Sequence, residues 1–367
     1  MTSKSLKLAA VFMLIALSLT GCGFKDIDKR FFVVAMGIDK PTGENAKGFI
    51  VTLRLAVTSP KIEPGAAKTQ IETLHATTIA EAVRLIKSHV DKELDFGHCK
   101  LYLLGEGLVK NDFNDIINWL GRRRDVQNVA YIAIGKPDAA SVLNINPTTE
   151  RYPGNTIFLI FGKDGTESSY IIYQYIFDFM RKVEEKGLDP VLPIMRGEKN
   201  GYVITRVGLL NKQKLVLSLN PHETEMYNQI HNAYDKSTVT ANVDGVELVL
   251  SVSQITNHYR IMKSSDGDYV LKLNMLISGI FEEAPIGIYN KDWDRLEKAF
   301  KTQVSQEAKR LLIKVQQAGV DPFGFGLHYR ATHAGSEKTW KDWQFIYPRL
   351  KFEVNATVKI EGTGITS

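Results

Sequence analysis

The chain has 367 residues, 44% hydrophobic and 24% charged, and its 46 Lys and Arg against 41 Asp and Glu leave a formal charge of +5. A charge that mild, with basic residues spread along the chain, excludes a nucleic-acid-binding footprint; the apolar share provides for more than one core and the length for two or three domains. Cys22 and Cys99 are the only cysteines, so a disulfide-rich scaffold is excluded too.

The first element is a leader. Lys4 and Lys7 precede an uninterrupted apolar or small stretch from Leu8 to Leu19, followed by Thr20 and Gly21. A helix rises about 1.5 Å per residue against a hydrocarbon layer of about 30 Å, so this stretch is too short to span and reads as an export signal, residues 1–21, that is removed. Leu19-Thr20-Gly21-Cys22 resembles the lipobox of bacterial lipoproteins, which implies a diacylglycerol thioether on Cys22 and cleavage before it. Two acyl chains suffice for stable anchoring where one would be marginal. The competing reading is an ordinary secretory signal ending near a cysteine; the agreement in position of charge, apolar core and Leu-x-Gly-Cys favours the anchor. With Cys22 acylated, Cys99 has no partner for an internal disulfide, and the fold must be held by burial.

The mature chain divides by its patterning into an N-terminal mixed α/β domain, 22–200, with a possible further division, and a C-terminal α+β domain, 201–367. After a charged stem, Phe31–Ile38 and Phe49–Val57 read as neighbouring strands. Thr78-Ile79-Ala80-Glu81 has the form of a capping box and starts a helix to about His89 with Ile79, Val83 and Ile86 inward. Lys100–Leu104 reads as a strand, Phe113–Leu120 as a helix, Arg122-Arg123-Arg124 as a solvated loop or helix end in preference to an anionic-lipid contact, and Val129–Ile134 as a strand. Asp138 opens a short helix through Leu143. Gly162-Lys163-Asp164-Gly165 is a turn, and Ser168 or Ser169 is expected to cap a helix from Tyr170 to Glu185, stopped by Gly187.

From Tyr202 the pattern changes to two-residue alternation. Leu350, Phe352, Val354, Ala356, Val358 and Ile360 alternate with polar residues, Leu271–Ile277 does much the same, and Val246–Val252 is a third strand. One wet face implies an antiparallel sheet. Between these strands a long helix, 292–318, carries Trp293, Leu296, Phe300, Val304, Leu311 and Val315 on one stripe and ends at Gly319. The fold class is therefore α+β, with an antiparallel sheet packed against the long helix.

Chemistry is hard to find. There is no G-x-S-x-G, no G-x-x-x-x-G-K-[ST] and no H-E-x-x-H. His98 and Cys99 are adjacent and, in an extended chain, point apart; Cys99 reads as a buried thiol. His328 and His333 lack further ligands for a metal, and Glu184-Glu185 and Glu282-Glu283 are solvated pairs rather than an acid/base dyad. No catalytic residue, cofactor or metal is expected. Asp321-Pro322-Phe323-Gly324-Phe325-Gly326 is unusual, and two readings stand: Phe323 and Phe325 plug the core, or they contact a partner.

Taken in order, Leu19-Thr20-Gly21-Cys22, the run ending Gly37-Ile38-Asp39-Lys40, Gly97-His98-Cys99-Lys100, Asp321-Pro322-Phe323-Gly324-Phe325-Gly326 and Ile360-Glu361-Gly362-Thr363-Gly364 resemble the Ger(x)C family, the lipoprotein C subunits of spore germinant receptors. Gly23-Phe24 departs from the Trp-Asp that often follows the lipid cysteine in that family. The resemblance implies a non-enzymatic subunit held by acylated Cys22 on the bilayer, at the outer face of the inner spore membrane, beside two integral membrane subunits that sense nutrients. It leaves open whether this subunit binds the nutrient. The alternatives are a solute-binding lipoprotein of a transporter, which needs two lobes with mainly parallel sheets, and a surface hydrolase, which needs a cleft with a nucleophile or perturbed acids.

Overall fold

The computed structural model describes residues 29–364 except 44–46, 58–62, 64, 66–67, 153, 162–167 and 233. The leader and Cys22 lie outside the described residues, as does the turn expected at 162–165. In chain order the elements are β1 (Arg30–Asp39), β2 (Phe49–Val57), β3 (Lys68–Ala76), α1 (Ile79–His89), β4 (Glu93–Asp95), β5 (Leu101–Gly105), α2 (Glu106–Val109), α3 (Asn114–Arg122), β6 (Tyr131–Lys136), α4 (Ala139–Leu143), α5 (Asn155–Phe161) and α6 (Ile176–Glu184). They continue with β7 (Val191–Glu198), β8 (Gly201–Leu210), β9 (Leu215–Ser218), α7 (Pro221–Asn232), β10 (Thr238–Val243), β11 (Val246–Lys263), β12 (Tyr269–Glu283), α8 (Trp293–Gln317), α9 (Phe325–Thr332), α10 (Glu337–Ile346) and β13 (Lys351–Gly362).

The first sheet has the order β3-β2-β1-β5-β6-β7-β8-β9, with β4 also on β1. Its centre, β1-β5-β6-β7, is parallel, and an antiparallel pair of strands completes each flank. Helices cover both faces. On one, Ile79, Val83 and Ile86 of α1 and Phe179 of α6 pack with Met36, Ile38, Tyr102 and Ile132. On the other, Val142 of α4 and Ile157 and Phe161 of α5 pack with Ala35, Leu101, Leu103 and Ala133. Strands covered on both sides need apolar residues at every position, which is why β1 and β5 read as unbroken apolar runs.

The second sheet has the order β10-β11-β12-β13. The α+β class holds, but the sheet is not wholly antiparallel: β13 runs parallel to β12, with Leu271 opposite Phe352 and Ile277 opposite Val358. The cause is connectivity, because a long helix between two neighbouring strands returns the chain to its starting end and forces a parallel pair. Helix α8 matches its expected stripe, with Leu296, Phe300, Val304, Ala308, Leu311 and Val315 buried against Leu273, Met275, Phe352, Ala356 and Val358. Asp292 caps it and Gly319 follows at φ 73°. Two α8 side chains also close the outer edge of β13: Ser305 Oγ accepts from the Ala356 amide at 2.9 Å, and Glu297 Oε1 from the Ile360 amide at 2.9 Å. Unsatisfied strand edges invite pairing with other chains, so this edge is blunted.

One helix starts later than expected. The helix expected over 170–185 begins only at Ile176; Tyr175 bridges Tyr131 and the Gln174 carbonyl accepts from the Ile132 amide at 2.9 Å. Ile171 and Ile172 serve different cores, which an extended backbone allows because consecutive side chains point opposite ways. The β7–β8 hairpin, where Glu198 pairs with Gly201, carries the first sheet on to Ser218. Val191, Val207 and Leu209 of that flank share one core with α8 and the second sheet.

Candidate functional site

The Asp321–Gly326 turn is where the two halves meet. The Asp321 carboxylate is buried and accepts from the amides of Phe325 at 3.1 Å and Gly326 at 2.7 Å, so it satisfies the free donors at the start of α9. Desolvation pushes its pKa up to about 7, against the lowering effect of those amides. Gly324 supplies the positive φ, 75°, that turns the chain into the helix.

Phe325 is 2% exposed and lies against Tyr259 at 5.1 Å, Phe323 at 5.4 Å and Phe352 at 6.5 Å between ring centres. That corrects the reading of Phe325 as a partner contact: its ring is spent in the core. Phe323 is half-buried on Tyr227 and edges a cavity of about 240 Å³ shared with His231, Asn257 and Tyr259.

Beside the turn lies a cleft of about 590 Å³, lined by Asp189, Lys212, Asp321, Trp340, Trp343 and Tyr347 among others. Its charged groups are engaged. Lys212 Nζ donates to the carbonyls of Lys182 at 2.6 Å, Glu185 at 2.8 Å and Leu188 at 2.5 Å, and lies 3.1 Å from Asp189 Oδ1. The Tyr347 hydroxyl donates to the Val320 carbonyl at 2.6 Å. These groups hold the wall of the cleft. Sequence reasoning missed Asp189 and Lys212, since neither belongs to a motif and their roles arise only when the halves pack.

A second cleft, of about 470 Å³, includes Asp178, Lys182, Tyr227 and His231. Asp178 is held near pKa 2: burial opposes ionisation, but hydrogen bonds from Lys182, Gln174 and Arg181 outweigh it. Burial, with Lys182 nearby, lowers His231 to about 4, so its ring is neutral where it stacks on Tyr227.

The other sequence candidates lie apart. Cys99 is fully buried; its thiol donates to the Leu101 carbonyl at 3.5 Å, and desolvation pushes its pKa up to about 12. His98 packs edge-on against Phe32. His328 rests on Tyr259, whereas His333 stacks on Tyr329. Glu185 pairs with Arg330 at 3.0 Å. Among the described residues no three His, Cys, Asp or Glu side chains group so as to hold a metal ion, and no helix is long and apolar enough to cross a membrane. Arg123 packs over Phe96 and Trp119 and pairs with Asp125, while Arg122 and Arg124 are exposed beside it.

Comparison with known proteins gives a match in both halves. Residues 23–197 match the family model for the spore germination protein N-terminal domain, and 205–364 that for the spore germination B3/GerAC-like C-terminal domain. The chain is 20% identical over 364 residues to spore germination protein GerQC of Bacillus cereus, covering 97% of this chain and 98% of that one. It is 21% identical over 396 residues to spore germination protein KC of Bacillus subtilis (strain 168), covering 98% and 96%. The crystal structure of the GerBC protein has the same fold, with a TM-score of 0.57 at 17% identity over 89% of this chain and 97% of that one. The chain belongs to the Ger(x)C family of spore germination proteins.

Proposed function

We propose that this chain is the non-enzymatic, lipid-anchored C subunit of a nutrient germinant receptor, tethered through Cys22 and assembled beside integral membrane subunits on the outer face of the inner spore membrane. The observation that carries the reading is the pair of family matches, which together span residues 23–197 and 205–364 in order. The engaged state of the charged groups in the large clefts agrees with a structural or assembly role rather than turnover. Cys99 is buried, which leaves Cys22 as the cysteine for acylation. A transporter's solute-binding lobe pair is less consistent with this chain, because the second sheet is largely antiparallel and shares one core with the flank of the first.

The test is a pull-down from spore membranes with and without Cys22→Ala. The unmutated chain is expected to co-purify multispan membrane proteins and to survive a high-salt wash on the membrane. The variant is expected to lose membrane retention while keeping its fold, because the cores of the described residues are built from Phe31 onward. Retention of Cys22→Ala after the wash would refute the lipid tether, and an unmutated chain that brings down no multispan protein would refute the receptor assembly.

A further inference from the structure

The first sheet has a distinct end where the chain enters. β1 is level with β5 and β6 only from Ala35, which lies opposite Leu101, itself opposite Tyr131. Arg30–Val34 therefore projects past the starting ends of both strands. At that same end an apolar surface is exposed. Val129, just before β6, is 65% exposed, and Phe177, whose amide donates to the Asn128 carbonyl at 3.1 Å, is 50% exposed.

Phe158 of α5 is 41% exposed, and a ladder of rings runs from its helix to Phe177. Phe161, one turn on, stacks on Tyr131 at 4.9 Å, Tyr131 on Tyr175 at 5.0 Å, and Tyr175 on Phe177 at 5.7 Å. Helix α5 is placed there by Gly154, over which a side chain would strike Val34.

Basic residues rim the patch. Lys100 Nζ lies 5.9 Å from the Phe158 ring centre. Arg122 and Arg124 are exposed in the segment leading to Val129, and α3 ends beside α6, with Gly121 against Met180. Of the acids nearby, Asp125 is paired with Arg123, Asp178 with Arg181 and Lys182, and Asp95 with Arg30, while Glu93 of β4, level with Arg30, is exposed.

We propose that this end of the first sheet seats directly on an anionic bilayer, with Val129, Phe158 and Phe177 in the interfacial layer and Lys100, Arg122 and Arg124 on lipid phosphates. The proposal rests on the reading of Cys22 as the lipid anchor. From Cys22 to Arg30 the chain spans at most about 29 Å when fully extended. The tether therefore holds this end of the sheet near the membrane and raises its effective concentration there. Exposed aromatic and aliphatic side chains with a basic rim fit the headgroup boundary, where rings find apolar depth and cations find phosphate.

The experiment uses the acylated full-length product in vesicles of phosphatidylcholine and phosphatidylglycerol in equal parts. A polarity-sensitive dye is placed at Val129→Cys or, as a control on the second sheet, at Val246→Cys, which is 43% exposed in the parent. Buried Cys99 takes no label. Flotation reads the anchor, and quenching by brominated acyl chains reads the seat.

Expected is flotation of every chain, with quenching at 129 at least about twice that at 246 if the surface enters the boundary layer. That excess should vanish in the Phe158→Ser/Phe177→Ser double variant and shrink in pure phosphatidylcholine. Equal quenching at both positions with flotation intact overturns the seat and leaves the anchor standing. Loss of flotation by the unmutated chain overturns the anchor and the seat with it. An excess at 129 that needs added spore-membrane protein assigns the surface to a protein partner and overturns the lipid seat.

Discussion

Asp189 and Asp321 are joined by reciprocal hydrogen bonds: the Asp189 amide donates to the Asp321 carbonyl at 2.9 Å, and the Asp321 amide donates to the Asp189 carboxylate at 2.7 Å. Lys212 neutralises Asp189 at 3.1 Å, but the Asp321 carboxylate faces only amides and is raised to about 7. The native chain thus holds a proton at pH values where the unfolded chain, near 3.8, has released it. Stability from this group is full below about pH 4 and is lost as pH rises through about 7.

Asp321→Asn removes that dependence and turns an amide nitrogen toward a backbone donor, at a cost of about 1–3 kcal/mol. Thermal melts from about pH 5 to about pH 8 should show the variant well below the parent at the acid end, with the gap closing as pH rises. His231, lowered to about 4, gives the opposite slope, with stability lost as pH falls below its unfolded value of 6.5; being common to both chains, it cancels in the difference. Parallel melting curves would refute the assignment to Asp321.

Arg54 is 1% exposed and ties β2 to the segment before α5. Its guanidinium donates to the Leu143 carbonyl at 2.9 Å, the Ile145 carbonyl at 2.5 Å and Glu150 Oε2 at 3.1 Å, while Glu150 Oε1 accepts from the Thr156 amide at 3.2 Å. Removing one partner of a buried pair strands the other, at about 3–5 kcal/mol, whereas replacing both is far less costly. Urea denaturation should find Arg54→Met strongly destabilised and Arg54→Met/Glu150→Leu less so. A double loss equal to the sum of the singles would rule out the coupling.

Much of the fold was legible in the sequence where local chemistry and burial agree. Thr78 caps α1 as read, accepting from the Glu81 amide at 3.1 Å, while Glu81 reaches back to the Thr77 amide at 3.1 Å. α7 was not legible because buried polar side chains are interleaved with Met226, Tyr227 and Ile230 on its buried face. Glu225 takes the Thr238 amide, Asn228 donates to the Ser169 carbonyl and Gln229 to the Thr238 carbonyl, so no apolar stripe marks the helix. β3 was missed for a related reason, being a half-exposed edge strand of mostly polar residues. The exposed surface formed by Val129, Phe158 and Phe177 was hidden as well, since it comes from three separated segments that only the fold joins, through the rings of Phe161, Tyr131 and Tyr175.

The burial of Cys99 predicts an inert thiol. A thiolate is the reactive form, and a pKa pushed up to about 12 with no exposed sulfur removes it near neutrality. A thiol reagent should leave Cys99 untouched in the native protein and modify it once urea unfolds the chain. Cys99→Ala should lower stability by about 1 kcal/mol, the scale of one small buried group, and leave the fold intact. Rapid native-state labelling at this position would contradict the buried placement.

Gly187 and Gly326 bring the loop after α6 against the first turn of α9. The Leu327 amide donates to the Gly187 carbonyl at 2.8 Å, a contact that fits only because neither glycine carries a side chain. A Cβ on Gly326 would lie 2.3 Å from Trp343 Nε1 and 2.9 Å from Gly187 Cα, and one on Gly187 would lie 2.5 Å from the Gly326 carbonyl carbon. Trp343 is 2% exposed and cannot swing away without opening the shared core. Overpacking of this kind costs about 1–3 kcal/mol.

Gly187 is also at φ 87°, so alanine there adds backbone strain, and Gly245→Ala, at φ 82° in open space, isolates that strain alone. Thermal melts should place Gly326→Ala and Gly187→Ala clearly below Gly245→Ala. The double variant should lose less than the sum, because one backbone shift relieves both clashes. A Gly326→Ala chain that melts with the parent would mean that the two halves do not pack through this contact, and the buried, proton-holding state of Asp321 would lose its physical basis as well.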